Sequence, residues 1–111
     1  VVIVSAARTA IGKFMGTLKD VPARDLAITA AKGAIERSGV PADKIDEICM
    51  GQLYGGMQGS LPARQVSMRG GLPHNSSAVS VERERGERRH ADQHHANKPN
   101  QRCRTAAALY A

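Results

Sequence analysis

The side chains of this 111-residue chain that could carry covalent or metal chemistry fall into two groups. Cys49 sits in the apolar run Ile48-Cys49-Met50, whereas His90, His94, His95 and Cys103 lie in a polar C-terminal stretch. A thiol is reactive where its surroundings favour thiolate, and inert where it is packed among apolar groups. Inside a strand-like run, Cys49 reads as an inert core cysteine. His90 and His94 would share one helix face at i, i+4, a spacing compatible with a metal ligand pair. No ligand pair has zinc-finger spacing, so adventitious nickel or zinc binding is expected and a built metal site is not. Arg8 follows an apolar run and could reach a phosphate, although a salt bridge or loop hydrogen bond is its default role. Gly55, Gly56 and Gly59 do not make a phosphate cradle, because no Lys-Ser/Thr follows them and no Gly-x-Gly-x-x-Gly opens a helix. They read as turn residues.

Composition divides the chain at the same place. Val1–Val81 carries nine Lys/Arg against six Asp/Glu, while Glu82–Ala111 carries seven against four in far fewer residues. The second part contains no Val, Ile, Met or Phe. Such a stretch cannot bury enough apolar surface to offset the entropy of ordering it. Residues 82–111 therefore read as a basic, disordered tail behind a domain at 1–81. The bases could contact nucleic acid through counterion release, and a non-enzymatic module binding nucleic acid or metal through this tail is the alternative reading of function. Four acids are interleaved with those bases, and Tyr110, the one aromatic of the tail, lies far from the arginine cluster. Stacking on single strands is thus unsupported, and no nucleic-acid partner is expected. Two cysteines do not make a disulfide framework. No apolar run has the length of a membrane span and no signal-peptide core is evident. A reducing, cytoplasmic location follows as the default, with mitochondrion or peroxisome open because the chain starts at Val1 and a leader could have been removed.

The first part has the punctuation of an α/β domain. Val1-Val2-Ile3-Val4 is a continuous β-branched run suited to a strand buried on both faces. Asp20 can cap a helix with Pro22 in its first turn. Leu26, Ala27, Ala30, Ala31, Ala34 and Ile35 then form one apolar stripe, closed by Gly39 and Pro41. Pro41–Ile45 can add a short helical turn. Ile48–Leu53 reads as a second strand and Tyr54–Ser60 as a loop. Pro62–Arg69 reads as a second helix, started by Ser60 and stopped by Gly70-Gly71, with Ala63, Val66 and Met68 facing inward. Ser77–Val81 alternates as a third strand. Strand–helix–strand–helix–strand implies right-handed crossovers and a mostly parallel sheet.

These pieces resemble the N-terminal part of thiolases, the acetyl-CoA acetyltransferase family. The resemblance is carried by Val2-Ile3-Val4-Ser5-Ala6-Ala7-Arg8-Thr9-Ala10-Ile11-Gly12 and by Asp46-Glu47-Ile48-Cys49-Met50-Gly51. Pro62-Ala63-Arg64-Gln65 and Gly71-Leu72-Pro73 follow in the family's order and spacing. It runs from Val1 to Val81, the opening segment of a much longer family architecture. It implies a partial thiolase-like α/β domain, acyl-CoA as substrate, thiolytic cleavage or Claisen condensation, no bound cofactor, and self-association through this domain.

The resemblance also implies a nucleophile that this chain lacks. In the family the third strand leads into an Asn-x-x-Cys-x-Ser-Gly-type turn, whose cysteine at a helix N-terminus attacks the acyl-CoA and carries the acyl group as a thioester. Here the register sets Glu82 at the Asn, Arg85 at the Cys and Glu87 at the Ser, and Gly86 alone is compatible. Arginine stays protonated and offers no lone pair, so no catalytic residue is assigned and the chain is expected to be inactive. A shifted reading frame just before Glu82 would account for the break, together with a further change near Arg85. The composition of the tail makes a direct prediction: trypsin should cut first between Arg83 and Arg89, ahead of every site in Val1–Val81, when fragments are timed by mass spectrometry. Resistance there would show a folded element.

Overall fold

The computed structural model of the chain describes residues 2–52 and 59–82, together with the backbone of 105–110. In chain order these form helix α1 (Ala23–Ser38), a 3-10 turn (Ala42–Lys44), strand β1 (Ile45–Gln52), helix α2 (Pro62–Gly70), strand β2 (Ser77–Glu82) and strand β3 (Thr105–Tyr110). β1 is the middle strand and pairs in parallel with both neighbours, giving the order β2-β1-β3. The α/β class and the parallel sheet are those the punctuation implies.

Each helix begins and ends for local reasons. α1 starts on Pro22, whose carbonyl accepts the N–H groups of Asp25 at 2.9 Å and Leu26 at 3.3 Å. Asp20, read as the cap, stands outside the helix, because Pro22 already sets the φ that the first turn needs. Gly39 closes the helix at φ 67°, a left-handed conformation that glycine adopts without a Cβ penalty. The Ser38 hydroxyl secures that end, donating to the Ile35 carbonyl at 2.7 Å and accepting from the Val40 N–H at 3.0 Å. α2 is capped by Leu61 at φ 47° rather than by Ser60, and ends on Gly71 at φ 93°.

The core forms where the two helices lie on one face of the sheet. Ala27 and Ala31 of α1, Ala63 and Val66 of α2, Ile45, Ile48 and Met50 of β1, and Leu72 make one buried cluster. Small residues let the helices approach closely: a Cβ at Gly70 would lie 3.8 Å from the Ala31 Cβ. β1 is buried on both faces, with Asp46 its one exposed residue, which fits the apolar run Ile48-Cys49-Met50 at its middle; Glu47 and Gln52 are its buried polar residues. Met68, expected inward, is exposed at 36%, and Ser67 is buried in its place because the helical turn carries residue 67 toward Leu72 and the start of β2.

Two further expectations are corrected. Val2–Val4 forms no strand and is exposed at 83%, 90% and 59%, because the edge of β1 that a parallel N-terminal strand would take is paired with β3. β3 in turn lies in the stretch read as disordered; the rest of that tail, 83–104 and 111, lies outside the described residues, as does most of the loop at Tyr54–Ser60. The packing predicts a contrast between two single variants. Ile48→Ala, at a site with no exposure, should lower unfolding free energy by about 2–5 kcal/mol. Phe14→Ala, at a side chain 98% exposed, should change it by no more than about 0.5 kcal/mol. Urea titrations followed by circular dichroism compare them.

Candidate functional site

Parallel α/β sheets present their ligands with the carboxyl ends of the strands. Here that edge is formed by Gln52, the last residue of β1, and Glu82, the last of β2, which stand opposite each other in the register. The Gln52 Nε2 donates to the Glu82 Oε1 at 2.8 Å. Gln52 is buried, and its Oε1 has no hydrogen-bond partner among the described residues, while Glu82 opens to solvent. The pair therefore ties the strand ends together and leaves one buried acceptor beside it. A carboxylate and an amide so placed can orient a polar ligand.

The approach to this edge is held from below by α2 and the turn that follows it. Arg64 spans that turn, its Nη1 donating to the Ser76 carbonyl and its Nη2 to the His74 carbonyl, both at 2.8 Å. Ser76 donates its hydroxyl to the Pro73 carbonyl at 2.8 Å, so the buried Ser67 hydroxyl 2.9 Å away is the donor between the two serines. Ser80 of β2 accepts the Ala63 N–H at 3.2 Å, satisfying one of the free amides at the start of α2. On the other side, Gln65 receives Arg24 of α1 at 2.9 Å and donates to the Ser60 carbonyl at 2.9 Å. Arg64 and Gln65 belong to a motif visible in the sequence, but their tasks were not, since each bonds carbonyls or side chains set by the fold.

The residues singled out from the sequence are distributed unevenly. Cys49 lies in mid-strand opposite Val79, fully buried, where no acyl-CoA can reach it. Arg8 is exposed and forms neither the salt bridge nor the loop hydrogen bond expected of it among the described residues. Gly59, at φ 86°, is a turn residue as expected, and a Cβ there would lie 2.9 Å from the Gln65 Nε2. Arg85, Gly86, Glu87, His90, His94, His95, Cys103, Gly55 and Gly56 lie outside the described residues. Among the described residues no three His, Cys, Asp or Glu side chains gather as a metal site, and no helix is long and apolar enough to cross a membrane.

Comparison with known proteins is consistent with this architecture. The family model of the thiolase N-terminal domain matches residues 1–86. An acetyl-CoA acetyltransferase of Yarrowia lipolytica is 54% identical over 79 residues, covering 71% of this chain and 20% of its own length. The mitochondrial acetyl-CoA acetyltransferase of Mus musculus is 43% identical over 81 residues, covering 73% of this chain and 19% of its own. Among solved structures, an acetyl-CoA acetyltransferase from Syntrophomonas wolfei superposes with a TM-score of 0.80 at 41% identity, over 85% of this chain and 24% of that one. The Acat5 thiolase of Ascaris suum in complex with coenzyme A superposes with a TM-score of 0.67 at 39% identity, over 73% and 21% respectively. The chain thus spans about a fifth of the length of the curated relatives it matches.

Arg64 is the side chain on which the geometry below the site depends. Arg64→Met keeps much of the aliphatic stem and removes both carbonyl contacts, charge-assisted bonds of which the one to Ser76 is half-buried and the one to His74 exposed. It should cost about 1–3 kcal/mol and raise amide exchange across Pro73–Ser77, read by denaturant titration and by hydrogen-exchange mass spectrometry.

Proposed function

Because the chain belongs to the thiolase family through its N-terminal domain, we propose that its lineage is one of acyl transfer to and from coenzyme A, by thiolytic cleavage or Claisen condensation, and that this 111-residue chain is catalytically silent. The match of the family model over residues 1–86 carries the first half of this reading. The second half rests on Arg85 at the nucleophile's position and on the burial of Cys49.

Either direction needs a thiolate that carries the acyl group as a thioester. In thiolysis it attacks the 3-keto carbonyl, the C2–C3 bond breaks to release an acyl-CoA enolate that is protonated, and coenzyme A then takes the acyl group. In condensation it attacks the thioester carbonyl and expels the coenzyme A thiolate. A guanidinium holds its proton throughout and has no free electron pair, so it can complete none of these steps. Cys49 has the right atom in the wrong place: it packs in the middle of β1, where neither solvent nor a bulky thioester enters. The described residues supply a scaffold instead, in which β1 and β2 end together and α2 braces the turn between them.

Acyl-CoA is the ligand class in this reading, supported by the relatives' names and by the coenzyme A bound to the Ascaris suum thiolase. Self-association belongs to it as well, supported by the apolar side chains of Ile11, Phe14 and Met15 left on the surface. Purified chain should neither cleave acetoacetyl-CoA in the presence of coenzyme A, followed by loss of enolate absorbance, nor retain label from radioactive acetyl-CoA after acid precipitation. A stable acetyl thioester mapped to Cys49 or Cys103 would overturn the silence proposed here.

A further inference from the structure

Val2–Val4 is an apolar, β-branched run that lies outside every helix and strand and is open to water, with Ile3 exposed at 90%. Runs of this composition are the ones that pleated, buried strands select. The edge of β1 that it could pair with is taken by β3, whose sequence is Thr105-Ala106-Ala107-Ala108-Leu109-Tyr110. We propose that this edge of β1 is a position with two occupants, at which the N-terminal run and β3 exchange as the third strand of the sheet.

Four observations carry the proposal. One edge of a strand hydrogen-bonds one neighbour at a time, and β2 holds the other edge of β1, so the two segments exclude each other. The N-terminal run is already tethered close by. Arg37 of α1 donates to the Ala6 carbonyl at 3.3 Å, and a Cβ at Gly33 of α1 would lie 3.7 Å from the Ala7 Cβ. α1 is also the helix that lies beside β3, so residues 6 and 7 rest against the element that borders the contested edge. Connectivity favours the exchange too. A strand at Val2–Val4 would be joined to β1 through α1, the strand–helix–parallel strand unit of ordinary crossovers. β3, by contrast, is reached from β2 on the opposite edge, through residues 83–104. Finally, β-branched residues suit an interior pleated position better than an alanine-rich strand does, and they remove more apolar surface from water. β3 therefore holds the edge against a competitor of higher strand propensity, and the exposure of Val2–Val4 is the consequence of its occupancy.

Hydrogen exchange on the full chain tests this directly, because each segment should protect at the other's expense. Ala107→Pro and Ala108→Pro, made singly, remove in turn the two adjacent amides of β3, of which one faces β1 and the other faces away. The variant that blocks pairing should slow exchange at Ile3 and Val4 by about tenfold while β1 stays protected. Fast exchange at Ile3 and Val4 in both variants, with β1 protected or not, would overturn the proposal. Should both variants fail to fold, Ile3→Pro decides it. Removing the competitor should slow exchange across Thr105–Tyr110 relative to the unaltered chain, and no change there would overturn the proposal. Simultaneous protection of Val2–Val4 and Thr105–Tyr110 in the unaltered chain would do so as well, since it would mean that the run adds outside β3 and does not compete.

Discussion

The burial of β1 on both faces is the constraint on which the rest of the structure depends. A strand in that position must have helices over its side chains and neighbours on both edges, or it leaves apolar surface and backbone groups unsatisfied. On one face α1 and α2 meet the first demand through Ala27, Ala31, Ala63 and Val66, which pack with Ile48 and Met50. β2 and β3 meet the second, each parallel to β1. Ile48, Cys49 and Met50 are wholly removed from water as a result. The same burial that makes β1 the axis of the fold also removes the thiol of Cys49 from any chemistry.

A second layer of order comes from polar side chains that bond backbone instead of one another. Arg64 holds the carbonyls of His74 and Ser76, Ser76 holds that of Pro73, and Ser67 donates to Ser76. Together they shape the connection from α2 into β2, which brings Glu82 level with Gln52. The bonds of this bracing all lie between Arg64 and Ser76.

The contact between the two halves of the chain is of a different character. β3 brings a segment from a polar, basic stretch into the sheet, which its composition as a whole does not suggest. Locally, however, Thr105-Ala106-Ala107-Ala108-Leu109-Tyr110 carries no charge, and an open edge of a buried strand is a strong template for any uncharged extended segment. The cost falls on the N-terminal run, whose valines and isoleucine face water while alanines occupy the edge.

What the sequence alone determined was what local physics decides. Gly39 and Gly71 end their helices, Pro62 opens α2, the alanine stripe marks the buried face of α1, and the apolar run at 48–50 marks a strand. The family and the parallel α/β class were legible from motifs in order. The tertiary structure alone decided which segment pairs with which edge of β1, that Ser67 turns inward where Met68 was expected, and that Gln52 meets Glu82. Pairing of strands is a competition among segments distant in the chain, settled by which edge is open and which segment reaches it. Composition states how well a segment would serve as a strand, but it does not say whether another has already taken the place.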